Sequence, residues 1–182
     1  EIIFWLPSVV SQQRSHPVAL QLSNLMTKNF DLTPSILDCL SSFSLSSEIK
    51  SQVEIEMLSV LHNMPMHFIP VFINYIFGKG TKDCSSENIR IIREKLTWNS
   101  EDRSISDVES SQTLTALSLK TALSRSKALN LEWLKIINSV KESEDHNPLD
   151  IVILVIMYAL GGKEKVETVF RKKIKASLFV CT

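Results

Sequence analysis

The sequence predicts an all-α fold: an α-solenoid of antiparallel helix pairs, cut from a larger protein. Three observations predict it. Apolar residues recur at three- and four-residue spacing along nearly the whole chain. Prolines stand just before several of these runs, where a helix tolerates them. Only 4 glycines and 6 prolines interrupt 182 residues, too few for an all-β chain with frequent turns.

The elements follow in order. Pro17, Pro34 and Pro148 mark helix first turns, with Thr33 and Asn147 as N-caps and Asp38 and Asp150 as early acidic residues. The stripes are Leu22, Leu25 and Met26, then Ile36, Leu37 and Leu40, then Val53, Met57, Val60 and Leu61, then Ile69, Phe72, Ile73 and Ile76. Further on come Ile89, Ile92 and Leu96; Leu114, Leu117 and Ala122; Leu131, Leu134, Ile137 and Val140; and Val166, Val169 and Ile174. Gly78 and Gly161-Gly162 are placed as C-caps. The sum is about ten helices of ordinary length joined by short loops. Such helices pack as antiparallel pairs, and stacked pairs make a solenoid of the HEAT or armadillo kind; a compact helical bundle is the alternative.

One stretch breaks the rhythm. Asn99 to Ser110, NSEDRSISDVES, is acidic and serine-rich and reads as a flexible linker. It divides the chain into a helical-repeat part at 1–98 and a second helical part at 111–182. Both ends fall inside helical pattern, which is why the chain reads as a fragment.

Composition excludes more than it assigns. Lys+Arg and Asp+Glu are 20 each, so net charge argues for no polyanionic or acidic partner. Cys39, Cys84 and Cys181 form no CxxC and no Cys/His set, as expected of idle thiols in a reducing compartment. The run Ile151–Leu160 is far short of the roughly 20 residues that span a bilayer, so no membrane partner is expected. His62 and His67 are separated by the break at Met64-Pro65, and with His16 and His146 they form no ligand set; no metal and no cofactor is expected. No GxSxG, GxxxxGK or GxGxxG occurs, and no catalytic constellation follows from spacing, so the segment reads as a non-enzyme.

Two basic features remain. The tail carries Lys163, Lys165, Arg171, Lys172, Lys173 and Lys175 against Glu164 and Glu167, and its face could meet phosphates or simply water. The run SLKTALSRSKALNLEWLK places Lys127 at or near a helix end, exposed and reachable. Lys120 shares its face if one helix continues that far.

The run Lys120–Trp133, KTALSRSKALNLEW, resembles the segment of the Fanconi anaemia group D2 family that receives a single ubiquitin. The likeness extends in the same order through 2–12 (IIFWLPSVVSQ), 32–42 (LTPSILDCLSS), 65–77 (PMHFIPVFINYIF), 91–96 and 147–174, nearly all of the chain. The resemblance implies a nuclear α-solenoid that pairs with the Fanconi anaemia group I protein. It implies binding to duplex or branched DNA, and retention as a clamp during interstrand-crosslink repair. It assigns Lys127 as ubiquitin acceptor, served by the Fanconi core-complex ubiquitin ligase and its conjugating enzyme, with structural roles for Lys120 and Trp133. The family pattern can carry an acidic residue before the acceptor, where this chain has Ser126. In that context Arg171, Lys172, Lys173 and Lys175 become candidate DNA-backbone contacts. Ser111-Gln112 becomes a candidate phosphorylation site of the SQ type, a pair that also occurs at Ser11-Gln12 and Ser51-Gln52. The competing function is a generic helical-repeat adaptor in which no lysine is special.

Overall fold

Among the described residues helical periodicity becomes helical backbone. The computed structural model describes residues 2–78, 86–96, 105–140, 147–169 and 171, with the backbone alone for 105–110. Among them run nine named helices: α1 (Ile2–Val9), α2 (Gln12–Lys28), α3 (Thr33–Ser42), α4 (Ser47–Ser59), α5 (Ile69–Gly78), α6 (Ser86–Lys95), α7 (Ile105–Arg125), α8 (Lys127–Ser139) and α9 (Pro148–Ala159). Residues 163–169 are helical again, and no strand occurs among the described residues.

The packing order is regular. α1 lies on α3, α3 on α5, α5 on α7 and α7 on α9, while α2 lies on α4, α4 on α6 and α6 on α8. Contacts of α2 with α3, α7 with α8 and α8 with α9 tie the two rows together. Each helix therefore leans on the helix two places along, the order that stacked antiparallel pairs produce. The shared core runs from Met26, Ile36 and Met57 through Phe72 and Ile73 to Leu119, Leu123, Trp133 and Ile153.

Several local expectations are corrected. Pro17 lies inside α2 rather than in its first turn. The helix reaches back to Gln12 because Ser15 belongs to the same buried face as Ala19, Leu22, Ser23 and Met26, and that packing outweighs one missing N–H near the start. Thr33 is the first helical residue of α3 and not its cap: the single 3-10 turn Phe30–Leu32, itself capped by Asn29, runs straight into the helix. Residues 105–110, expected as the end of a flexible linker, are the first turns of α7. Residues 99–104 lie outside the described residues. α7 packs on both α5 and α9, so the two expected parts share one stack. Leu114 and Leu117, expected in the core, are 52% and 55% exposed. α7 instead buries Ser111, Thr115, Ser118, Leu119, Ala122 and Leu123. Small side chains there let the neighbouring helices approach.

The far end matches expectation closely. Asn147 caps α9: its Oδ1 accepts from the Leu149 N–H at 2.9 Å, and Asp150 accepts from the Asn147 N–H at 3.2 Å, a capping box. α9 ends in a Schellman turn, with Gly161 at φ 88. Its N–H donates to Tyr158 O at 3.1 Å, and the Gly162 N–H to Met157 O at 2.9 Å.

Candidate modification site and its groove

Lys127 stands at an elbow between two helices. α7 ends at Arg125, and Ser126 turns the chain out of the helix with φ −128 and ψ 106. The Ser126 Oγ accepts from the Leu129 N–H at 3.2 Å and so caps α8, whose first residue is Lys127. Asn130 Nδ2 donates to Leu123 O at 2.9 Å, joining the first turn of α8 to the last turn of α7. Leu129 and Trp133 are buried below, while Lys127 and Ala128 face solvent. The amine is thus mobile on its own tether, but its Cα is fixed. Lys120 is exposed on α7, so the two lysines do not share one helix face. Trp133 is fully buried, in the structural role expected of it.

From Lys127 a groove of about 360 Å³ opens between α8 and the turn after α9. Asn130, Leu131 and Leu134 form the α8 side; Leu160, Gly161 and Glu164 form part of the other. Leu131 is 45% exposed and Leu160 37%, so this groove offers apolar surface to water beside the amine.

Away from the groove, polar contacts tie α8 and α9 to α6. Glu132 on α8 accepts from Ser86 Oγ at 3.0 Å and pairs with Lys135 at 2.6 Å. The Lys135 hydrogen bond first, then that of Ser86, holds its carboxyl below the ordinary carboxylate range. Arg93 on α6 grips the nearly fully buried Asp150 of α9 through two contacts of 2.8 Å, Nε to Oδ1 and an η nitrogen to Oδ2. Asn147 Nδ2 adds a bond of 2.6 Å to Arg93 O. One carboxylate therefore completes a helix cap and clasps the two rows.

The other candidates are placed as follows. Ser111 is only 8% exposed, and its carbonyl accepts from Thr115 Oγ1 at 2.8 Å. Its side chain lies on the packed face of α7, so a kinase reaches it only if that helix lifts. Arg171 is exposed and stands 4.0 Å from Glu167, which also lies 3.9 Å from Lys163. Lys172, Lys173 and Lys175 lie outside the described residues. His62 and His67 sit in separate 3-10 turns on either side of Met64-Pro65. Among the described residues no three His, Cys, Asp or Glu converge on a metal position, and no helix is long and apolar enough to cross a membrane. Cys39 is buried, and burial pushes its thiol up.

A family model described as "FancD2: Fanconi anaemia protein FancD2 nuclease" matches residues 1–181. The chain belongs to the FancD2 family. Its relatives include the Fanconi anemia group D2 protein homolog of Rattus norvegicus, 26% identical over 200 residues. The Fanconi anemia group D2 protein of Gallus gallus is 26% identical over 199 residues, and the homolog of Mus musculus 24% over 200. These matches cover 97%, 96% and 97% of this chain but 14% of each relative, so the chain spans about one seventh of their length. Membership makes it a protein of the Fanconi anaemia pathway, with the DNA-repair and DNA-damage assignment the pathway carries. The family description includes the word nuclease; the names of the three relatives specify no activity.

Proposed function

We propose that this chain is the segment of a nuclear interstrand-crosslink repair scaffold in which Lys127 receives a single ubiquitin. The observation that carries the reading is the elbow: an exposed lysine at the first position of a capped helix, inside the gap-free run Lys120–Trp133. In the transfer, the neutral Lys127 Nζ attacks the thioester carbonyl that links ubiquitin to its conjugating enzyme. The C–N bond forms, the C–S bond breaks, the thiolate leaves, and the nitrogen gives up a proton. The chain supplies a positioned nucleophile; the conjugating enzyme and the core-complex ligase supply the activated carbonyl.

The same reading gives the stacked helices an architectural task. As an α-solenoid segment they hold Lys127 where the Fanconi anaemia group I protein, duplex or branched DNA and the ligase meet, and the modified pair clamps DNA. Arg171, with Lys172, Lys173 and Lys175 after it, offers phosphate-neutralising charge. This segment receives chemistry rather than performing it.

A reconstituted ubiquitination assay on the full-length protein, with its group I partner and DNA, tests the reading. Wild type yields one ubiquitin, located on Lys127 by mass spectrometry. Lys127→Arg abolishes that product while shifting stability by no more than about 0.5 kcal/mol, as befits an exposed side chain. Unchanged modification of the variant would leave only a helical adaptor with no special lysine.

A further inference from the structure

Resting on Lys127 as the acceptor, we propose that the groove beside it seats the carboxyl-terminal tail of the ubiquitin that is joined there. Ubiquitin ends in an extended, exposed strand of leucine and arginine residues closed by two glycines, and the isopeptide bond ties its last carbonyl to the lysine. The tail must therefore leave Lys127 along whatever surface begins at that residue, and the groove begins there.

Its chemistry suits that occupant at each step. The glycine pair is thin and lies against Gly161, at which even an added Cβ would meet nothing within 4 Å. The half-exposed Leu131 and Leu160 then offer an apolar landing for a leucine side chain. Glu164, exposed at the rim and in no ion pair among the described residues, offers its carboxylate to an arginine. Lys165 lines the same groove one position along the helix, so its ammonium stands at the rim together with the Glu164 carboxylate. The elbow that fixes Lys127 and the Schellman turn that fixes Gly161 are both hydrogen-bonded, so the two banks are preformed and the tail pays little for reorganisation.

A seated tail is hidden from enzymes that must draw it into their own cleft before cutting the isopeptide bond. The test is the rate at which a broad-specificity ubiquitin hydrolase cleaves ubiquitin from the full-length modified protein. Wild type is compared with Leu131→Ser combined with Glu164→Lys, two changes at exposed positions. A tail seated nine-tenths of the time slows cleavage about tenfold, and the double variant removes that delay. Equal rates in the two proteins, with Lys127 modified in both, overturn the groove and leave the acceptor standing. Persistent modification of Lys127→Arg overturns the acceptor itself, so the two failures are distinct.

Discussion

α1 and α5 are made of the same material and live in opposite conditions. α1 reads IIFWLPSV and α5 reads IPVFINYIFG, yet no residue of α1 is buried whereas Ile69, Pro70, Phe72, Ile73, Ile76 and Phe77 of α5 all are. Among the described residues α5 lies between α3 and α7, while α1 packs chiefly on α3. Trp5, the largest side chain of α1, remains 63% exposed. The difference teaches that apolar spacing states what a helix needs, while its place in the stack decides what it obtains. Among the described residues α5 has a row neighbour on both sides and α1 on one.

The sharpest way to break this comparison is to truncate one side chain in each helix. Phe72→Ala, at a fully buried site, costs about 3–5 kcal/mol through lost transfer energy and a residual cavity. Trp5→Ala removes a larger ring from an exposed face and shifts stability by no more than about 0.5 kcal/mol. Denaturant midpoints measure both, and similar losses would mean that α1 is packed after all. α9 is the intermediate case, with Ile153, Leu154 and Met157 buried but Ile151 and Val155 exposed. Its anchorage is polar. Asp150→Ala leaves Arg93, 16% exposed, without its carboxylate and costs about 3 kcal/mol, read by the same midpoints.

The smallest effect is a gain. α5 imposes its dryness on polar neighbours: burial, and then the Glu54 charge, push the Tyr75 phenol well above its ordinary range. Burial likewise raises the Glu54 carboxyl, ahead of the opposing Lys50 charge and the Asn88 hydrogen bond. The folded chain thus holds that proton more tightly than the unfolded one. The associated stability is present below the ordinary carboxylate range and is lost as pH rises through the folded value. Glu54→Gln, which keeps an acceptor for Asn88, therefore raises Tm at pH 7, and the gain shrinks as pH falls toward 4. Thermal unfolding across that range checks it; a loss at pH 7 would show that the Lys50 pair outweighs burial.

Much of this was legible where one residue type has one local use. Asn147-Pro148 with Asp150, and Gly161-Gly162, read as helix punctuation and fold as such, because caps are decided within a few residues. Ser126 also caps, but serine is common here and nothing nearby singles it out. What could not be read depends on neighbours distant in sequence. Leu114 and Leu117 look like core until small residues on the other side of α7 take the packed face. Ser111 looks like an accessible SQ site until that same face buries it. The Arg93–Asp150 clasp joins residues far apart in the chain, and no periodicity pairs them. Lys127 was located near a helix end by its polar approach, but its singling-out came from resemblance, and the groove beside it is formed by segments that only the fold brings together.

The position of Lys127 has an electrostatic consequence of its own. The first residue of a helix sits in the positive field of its unpaired N–H groups, which favours an anion over a cation there. Acylation of that amine, by any donor, exchanges a cation for a neutral amide. The start of α8 then carries one positive charge fewer beside its unpaired N–H groups.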